Sequence, residues 1–152
     1  MQITPCTLAD APVLAEMNHQ LIQDERAETH LSLPQLQARM ADFLHTSYRA
    51  FFFVADEDLL GYALCDMARA PVYLRQFFIC RDHRRKGYGK QAFALLLETL
   101  ALQTLDVDVY AWNHAGIAFW QSLGLQTRCH QMRLGECDKI LSIVFSGMRR
   151  EE

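Results

Sequence analysis

The sequence predicts an α/β (α+β) domain built on a mixed, mostly antiparallel central sheet flanked by helices. Three observations carry this. Apolar residues recur first at helical spacing, then in short runs, and then at helical spacing again. A glycine-punctuated basic loop stands where a strand-like run gives way to a helix-like one. No linker, repeat or low-complexity tract interrupts the 152 residues, of which 51% are apolar, so residues 1–152 read as one domain around one core.

The elements follow in order. Residues 2–5 read as a short first strand. Asp10 reads as a helix N-cap, with Pro12 in the first turn and Val13, Leu14, Met17, Leu21 and Ile22 at helical spacing. A polar connection over residues 23–30 leads to Ser32 and Gln35, a capping box around Pro34. Leu33, Leu36, Met40, Phe43 and Leu44 give this second helix its apolar face. The period then changes. Residues 50–55 and 59–66 are strand runs around Asp56-Glu57-Asp58, most simply a hairpin. Residues 72–80 form another strand, rich in aromatics. The basic loop 81–90 follows, and Ala92, Phe93, Leu96, Leu97 and Leu100 then mark one face of a helix. Residues 105–110 alternate as a strand does. Asn113 can cap a short helix running to Ser122, with Gly124 as its stop. Residues 125–133 and 139–145 read as late strands around a turn at Gly135-Glu136. The expected order is β-α-α-β-β-β-α-β-α-β-β.

Several functions are excluded at this level. The five cysteines are odd in number and widely spaced, and the C-x-x-H of Cys80 and His83 has no second half, so no metal site is expected. Reduced thiols and the absence of a leader pattern suggest a cytoplasmic protein. No apolar run approaches the ~20 residues that cross a bilayer, so no membrane partner is expected. The net charge of −3 argues against a nucleic-acid partner. That charge is unevenly divided: residues 75–90 carry +5, and the rest of the chain −8. A cationic loop in an acidic body suits an anionic ligand on one side and a cationic one on the other.

The basic loop is the most informative segment. Gly87 and Gly89 open backbone conformations closed to other residues, so successive amides can converge at a helix N-terminus and hold phosphate oxygens. Arg84, Arg85, Lys86 and Lys90 surround them with positive charge. A Walker A loop is excluded, because Gly89-Lys90 is followed by Gln91 and the first glycine is missing. A dinucleotide fingerprint fits poorly, because Ala92 takes the place of its third glycine and the loop follows two helices and a hairpin.

The spacing Arg84-x-x-Gly87-x-Gly89 resembles the pyrophosphate motif Q/R-x-x-G-x-G/A of the GCN5-related N-acetyltransferase (GNAT) superfamily. A second signature of that family, N-x-x-A-x-x-L-Y-x-x-x-G-F, is matched in part by residues 113–125. Asn113 and Gly124 agree with it, while Gly116, Trp120 and Leu125 replace its Ala, Tyr and Phe. The resemblance spans essentially the whole chain, including the element order.

The resemblance implies transfer of an acetyl group from acetyl-CoA to a primary amine of a small molecule, such as an amino acid. Arg84, Arg85, Lys86, Gly87, Tyr88, Gly89 and Lys90 would hold the pyrophosphate. The backbone of Phe77, Phe78 and Ile79 would pair with the pantetheine arm where the sheet splays. Asn113, Phe119 and Trp120 would contact the arm and line its pocket. The family's usual general acid is the signature tyrosine, and Trp120 cannot replace it, because indole has no useful acidity. Tyr73, Tyr110 and Cys80 are the candidates in its place, or the thiolate leaves without an acid, which a thiol pKa of ~8.5 tolerates. His19 and Glu25, in the segment that roofs the acceptor site in this fold, are candidates for the base. Asp24 would hold an ammonium group and Arg75 an acid group on the acceptor. The alternative is an acyl-CoA sensor of the same fold without turnover, with Trp120 as its main support. A homodimer paired through late strands is open to a chain of this family.

Overall fold

A computed structural model describes residues 1–135. Five strands form one sheet in the order β1-β2-β3-β4-β5: β1 (Gln2–Pro5), β2 (Tyr48–Ala55), β3 (Asp58–Asp66), β4 (Val72–Ile79) and β5 (Leu105–Val107). The first four are antiparallel neighbours, and β5 runs parallel to β4. Helices α1 (Ala11–Glu25) and α2 (Leu33–Leu44) cover one face. Helix α3 (Tyr88–Thr99) covers the other, where Trp120 of α4 (His114–Ser122) also packs.

Local chemistry explains most of these elements. The Ser32 hydroxyl accepts from the Gln35 amide, and Gln35 Oε1 accepts from the Ser32 amide at 2.8 Å, so the expected capping box starts α2. Asp56 and Glu57 both take left-handed φ angles of 50° and 69°, the geometry of a two-residue hairpin turn. Asp10 differs from expectation. Its carboxylate accepts from the Thr7 amide at 2.7 Å, in a short 3-10 turn, and it does not cap α1 with its side chain.

Alternation along the strands sorts the core into two layers. Ala50, Tyr62, Leu64 and Phe78 are buried against α1 and α2, while Phe51, Phe53, Ala63 and Leu74 are buried on the α3 side. The β3–β4 register steps from Leu64↔Gln76 to Cys65↔Leu74, which leaves Arg75 as a bulge residue. The simple alternation of residues 72–80 therefore fails at this point. In a regular strand Leu74 and Gln76 would share a face, but the bulge puts them on opposite faces. Gln76 accepts from the Tyr62 hydroxyl at 2.8 Å beneath the α1–α2 layer.

Two further expectations change. The strand expected over residues 105–110 ends at Val107, because Asp108 accepts from the Tyr73 hydroxyl and Tyr110 stacks on Trp112 at 4.6 Å. Residues 125–133 form no strand pairing among the described residues. The other late strand, 139–145, lies outside the described residues.

Gly61 shows how tightly β4 is held. A Cβ at this position would lie 1.9 Å from the carbonyl oxygen of Phe78, a backbone atom that cannot step aside alone. Gly61→Ala is therefore expected to lower unfolding stability by about 2 kcal/mol or more, read from the urea midpoint.

Candidate functional site

The site is built where β4 parts from β5. The parallel pairing covers Val72, Tyr73 and Leu74 only, while β4 continues to Ile79. The β5-facing edge of β4 beyond Leu74 therefore has no strand partner among the described residues. The Cys80 amide donates to the Leu60 carbonyl at 2.7 Å, which fixes the phase of that strand. Groups of Cys80 and Phe78 point toward β3, so the amides of Phe77 and Ile79 point into the open cleft. Ile79 confirms the phase, since its carbonyl accepts from Arg84 Nε at 2.8 Å.

The basic loop follows at once. A short 3-10 turn (Arg81–His83) leads to Arg85 and Gly87, which take left-handed φ angles of 60° and 81°. Gly87 is the N-cap of α3, so the helix begins at Tyr88, and Gly89 and Lys90 lie in its first turn. The amides of residues 85–90 have no protein acceptor among the described residues. Amides of this kind at a helix N-terminus make a nest for phosphate oxygens. Gly89 lets the helix start pack closely on α4, since a Cβ there would lie 3.1 Å from the Phe119 ring.

Asp24 braces this loop from α1. Its Oδ1 accepts from Arg81 Nη2 at 2.8 Å, and its Oδ2 accepts from Arg84 Nη2 at 2.5 Å. Partial burial pushes the Asp24 carboxyl pKa up, but the hydrogen bonds and charges of the two guanidiniums outweigh it and hold the pKa below its ordinary value. Asp24, expected at an acceptor ammonium, thus has both oxygens on loop arginines. The adjacent Glu25 is different. Burial and the Asp24 charge push its carboxyl pKa up, and its side chain makes no hydrogen bond or ion pair among the described residues. The loop after β5 closes over this end of α1, with Trp112 Nε1 donating to the Glu25 carbonyl at 2.9 Å.

The other expected residues fall into two groups. Tyr73, Arg75 and Glu25 lie toward the α1–α2 side, where an acceptor would approach. Tyr73 donates to Asp108 at 2.8 Å, and burial followed by that carboxylate pushes its pKa well up. His19 is exposed on α1. Phe77, Phe119 and Trp120 form an aromatic cluster on the α3 side, with Trp120 edge-on to Phe77 and to Phe93 at 5.4 Å. Asn113 caps α4, its Oδ1 accepting from the Gly116 amide at 3.0 Å. Gly116, the departure from the usual Ala, leaves room for that cap: a Cβ there would meet Asn113 Nδ2 at 2.5 Å.

Sequence reasoning missed Arg39. It projects from α2 into the same layer, where its Nη2 donates to Asn18 Oδ1 at 2.7 Å and its buried Nε has no partner. On the sequence it reads only as a lone cation on an amphipathic helix.

Comparison with known proteins agrees with this geometry. No curated protein sequence gives a significant match. Among solved structures, a mutant protein from Bacillus halodurans superposes with a TM-score of 0.73 at 20% identity, covering 90% of this chain and 100% of that one. An aminoglycoside N-acetyltransferase in complex with CoA gives a TM-score of 0.68 at 17% identity, over 90% and 95% of the two chains. A ribosomal-protein-alanine N-acetyltransferase from Brucella melitensis biovar Abortus 2308 gives 0.65 at 15% identity, over 88% and 98%. The family model described as the acetyltransferase (GNAT) family matches residues 15–125, so the chain belongs to the GNAT family of acetyltransferases.

Proposed function

We propose that this protein moves an acetyl group from acetyl-CoA to a primary amine of a small molecule. The observation that carries this reading is the junction of an open β4 edge with a nest of free amides. Together they match the two ends of an acyl-CoA arm: amide groups for the strand edge, phosphates for the nest. Acetyl-CoA supplies an activated thioester carbonyl.

The residues of the chain then divide the work. Arg85 to Lys90 hold the diphosphate through their amides, with Arg84 and Lys86 adding charge. The Phe77 amide, pointing into the cleft, is placed to donate to the thioester oxygen as negative charge develops. One such donor is worth roughly 3–4 kcal/mol. Glu25 takes the proton of the acceptor ammonium, since its carboxyl pKa is raised by burial and by the Asp24 charge and it has no cation partner among the described residues. The departing thiolate needs little help, because a thiol pKa is about 8.5. Tyr73 stays protonated at neutral pH and offers a hydroxyl beside the fork of β4 and β5. Trp120 lies within the aromatic cluster and has no part in proton transfer in this reading.

The alternative is a sensor that binds acyl-CoA without turnover, and the loss of the signature tyrosine to Trp120 is what favours it. Free-thiol release from acetyl-CoA, followed over a panel of small amines, separates the two. Release that depends on the amine is expected. Saturable CoA binding without release for any amine would establish the sensor. Glu25→Gln should lower kcat/KM by about 100-fold and leave the CoA Kd unchanged. In the wild type, protonating Glu25 removes the base, so kcat/KM should fall as pH drops. With the pKa raised, that fall should begin above the ordinary glutamate range, and the limb should vanish in the variant. Asp24→Asn should act differently. Losing the brace on Arg81 and Arg84 should raise the CoA Kd several-fold with little change in kcat, as read by calorimetry and steady-state rates.

A further inference from the structure

Two arginines on the acceptor side have no acidic partner. Arg39 comes from α2 and Arg75 from the bulge of β4, and both guanidiniums lie on the ring of Phe43, with Cζ 5.9 Å and 5.0 Å from its centroid. Arg75 also donates to the Tyr48 hydroxyl at 3.3 Å. Among the described residues, no carboxylate lies within ion-pair distance of either. Like charges do not gather without a reason, since each raises the free energy of the other. Burial, and then the charge of Arg75, push the Arg39 pKa down. Arg39 also keeps its Nε buried and without a partner, an arrangement that costs free energy unless something accepts from it. The neutral groups at hand, Asn18 Oδ1 and the Tyr48 hydroxyl, satisfy one donor of each arginine and leave the others free.

We infer that Arg39 and Arg75 form an oxyanion subsite that fixes the acid group of the acceptor, so that the acceptor class is an amine bearing a carboxylate or phosphate. This deepens the reading of the site as an amine acetyltransferase and rests on it. Glu25, at the end of α1, is the proposed base of the same site. An α-amino acid carries the complementary pair, with its carboxylate for the guanidiniums and its ammonium for Glu25. Two guanidiniums offer more donors than one carboxylate uses, which also suits bidentate contact.

The test compares free amino acids with their C-terminal carboxamides, and adds O-phosphoethanolamine as the phosphate-bearing amine. The acids should be acetylated with kcat/KM at least about tenfold above the carboxamides, the size of one charge-assisted hydrogen bond. Arg75→Gln and Arg39→Gln should each raise the KM of the acid about tenfold, with the carboxamide KM and the acetyl-CoA Kd unmoved. Arg75 is exposed, so its variant reports even where the loss of Arg39 weakens folding. Preference for O-phosphoethanolamine over both sets would assign phosphate as the oxyanion. A second readout needs no turnover: calorimetric titration of the same amines into the CoA-bound protein. Acids that bind the wild type and not Arg75→Gln, with no acetylation of any amine, would keep the subsite and remove the transferase reading. Acids and carboxamides that behave alike in both rate and binding would overturn the subsite.

Discussion

The site depends on one interruption of hydrogen bonding. β4 and β5 pair over three residues and then part, so the backbone of Arg75 to Ile79 has no strand partner on that edge among the described residues. An unpaired edge usually invites aggregation. Here it runs straight into a loop whose amides also have no protein acceptor among the described residues. The two sets of unsatisfied donors are continuous along the chain. An extended, amide-bearing ligand that ends in phosphate satisfies both at once.

Charge is organised around the same line. Arg81 and Arg84 are drawn to Asp24 at the end of α1, which ties the loop to that helix. Glu25, one residue on, has no such cation. The difference between two adjacent acids follows from helix geometry: successive side chains point about 100° apart, so one reaches the loop while its neighbour turns toward the buried layer. Across that layer, Arg39 and Arg75 form a second concentration of positive charge, separate from the phosphate loop. The −3 of the whole chain thus conceals two cationic sites and an acidic helix end.

Two of the chain's departures from its family's second signature have a packing reason. Trp120 fills the space between Phe77, Phe93 and Phe119, where its indole adds core area. Gly116 gives its space to the Asn113 cap. Both changes serve the seating of α4 against the α3 side of the sheet.

Local patterns in the sequence were enough to determine the elements that depend on near neighbours. The capping box at Ser32, the hairpin around Asp56-Glu57 and the glycine loop involve residues within a few positions of one another, and their chemistry is legible there. What the sequence alone could not determine comes from contacts between distant segments. The bulge at Arg75 reverses the alternation of β4, because it arises from the register with β3. The end of β5 at Val107 depends on Tyr73 reaching Asp108. The roles of Asp24 and Glu25 diverge only once Arg81 and Arg84 arrive beside one of them. Arg39 and Arg75, 36 positions apart in the chain, come together only because α2 packs on β2 and brings the Phe43 ring within reach of both guanidiniums. The sequence determined that a strand, a glycine loop and a helix would follow one another; tertiary packing decided which charges surround that loop, because burial and proximity between distant side chains are properties of the folded chain.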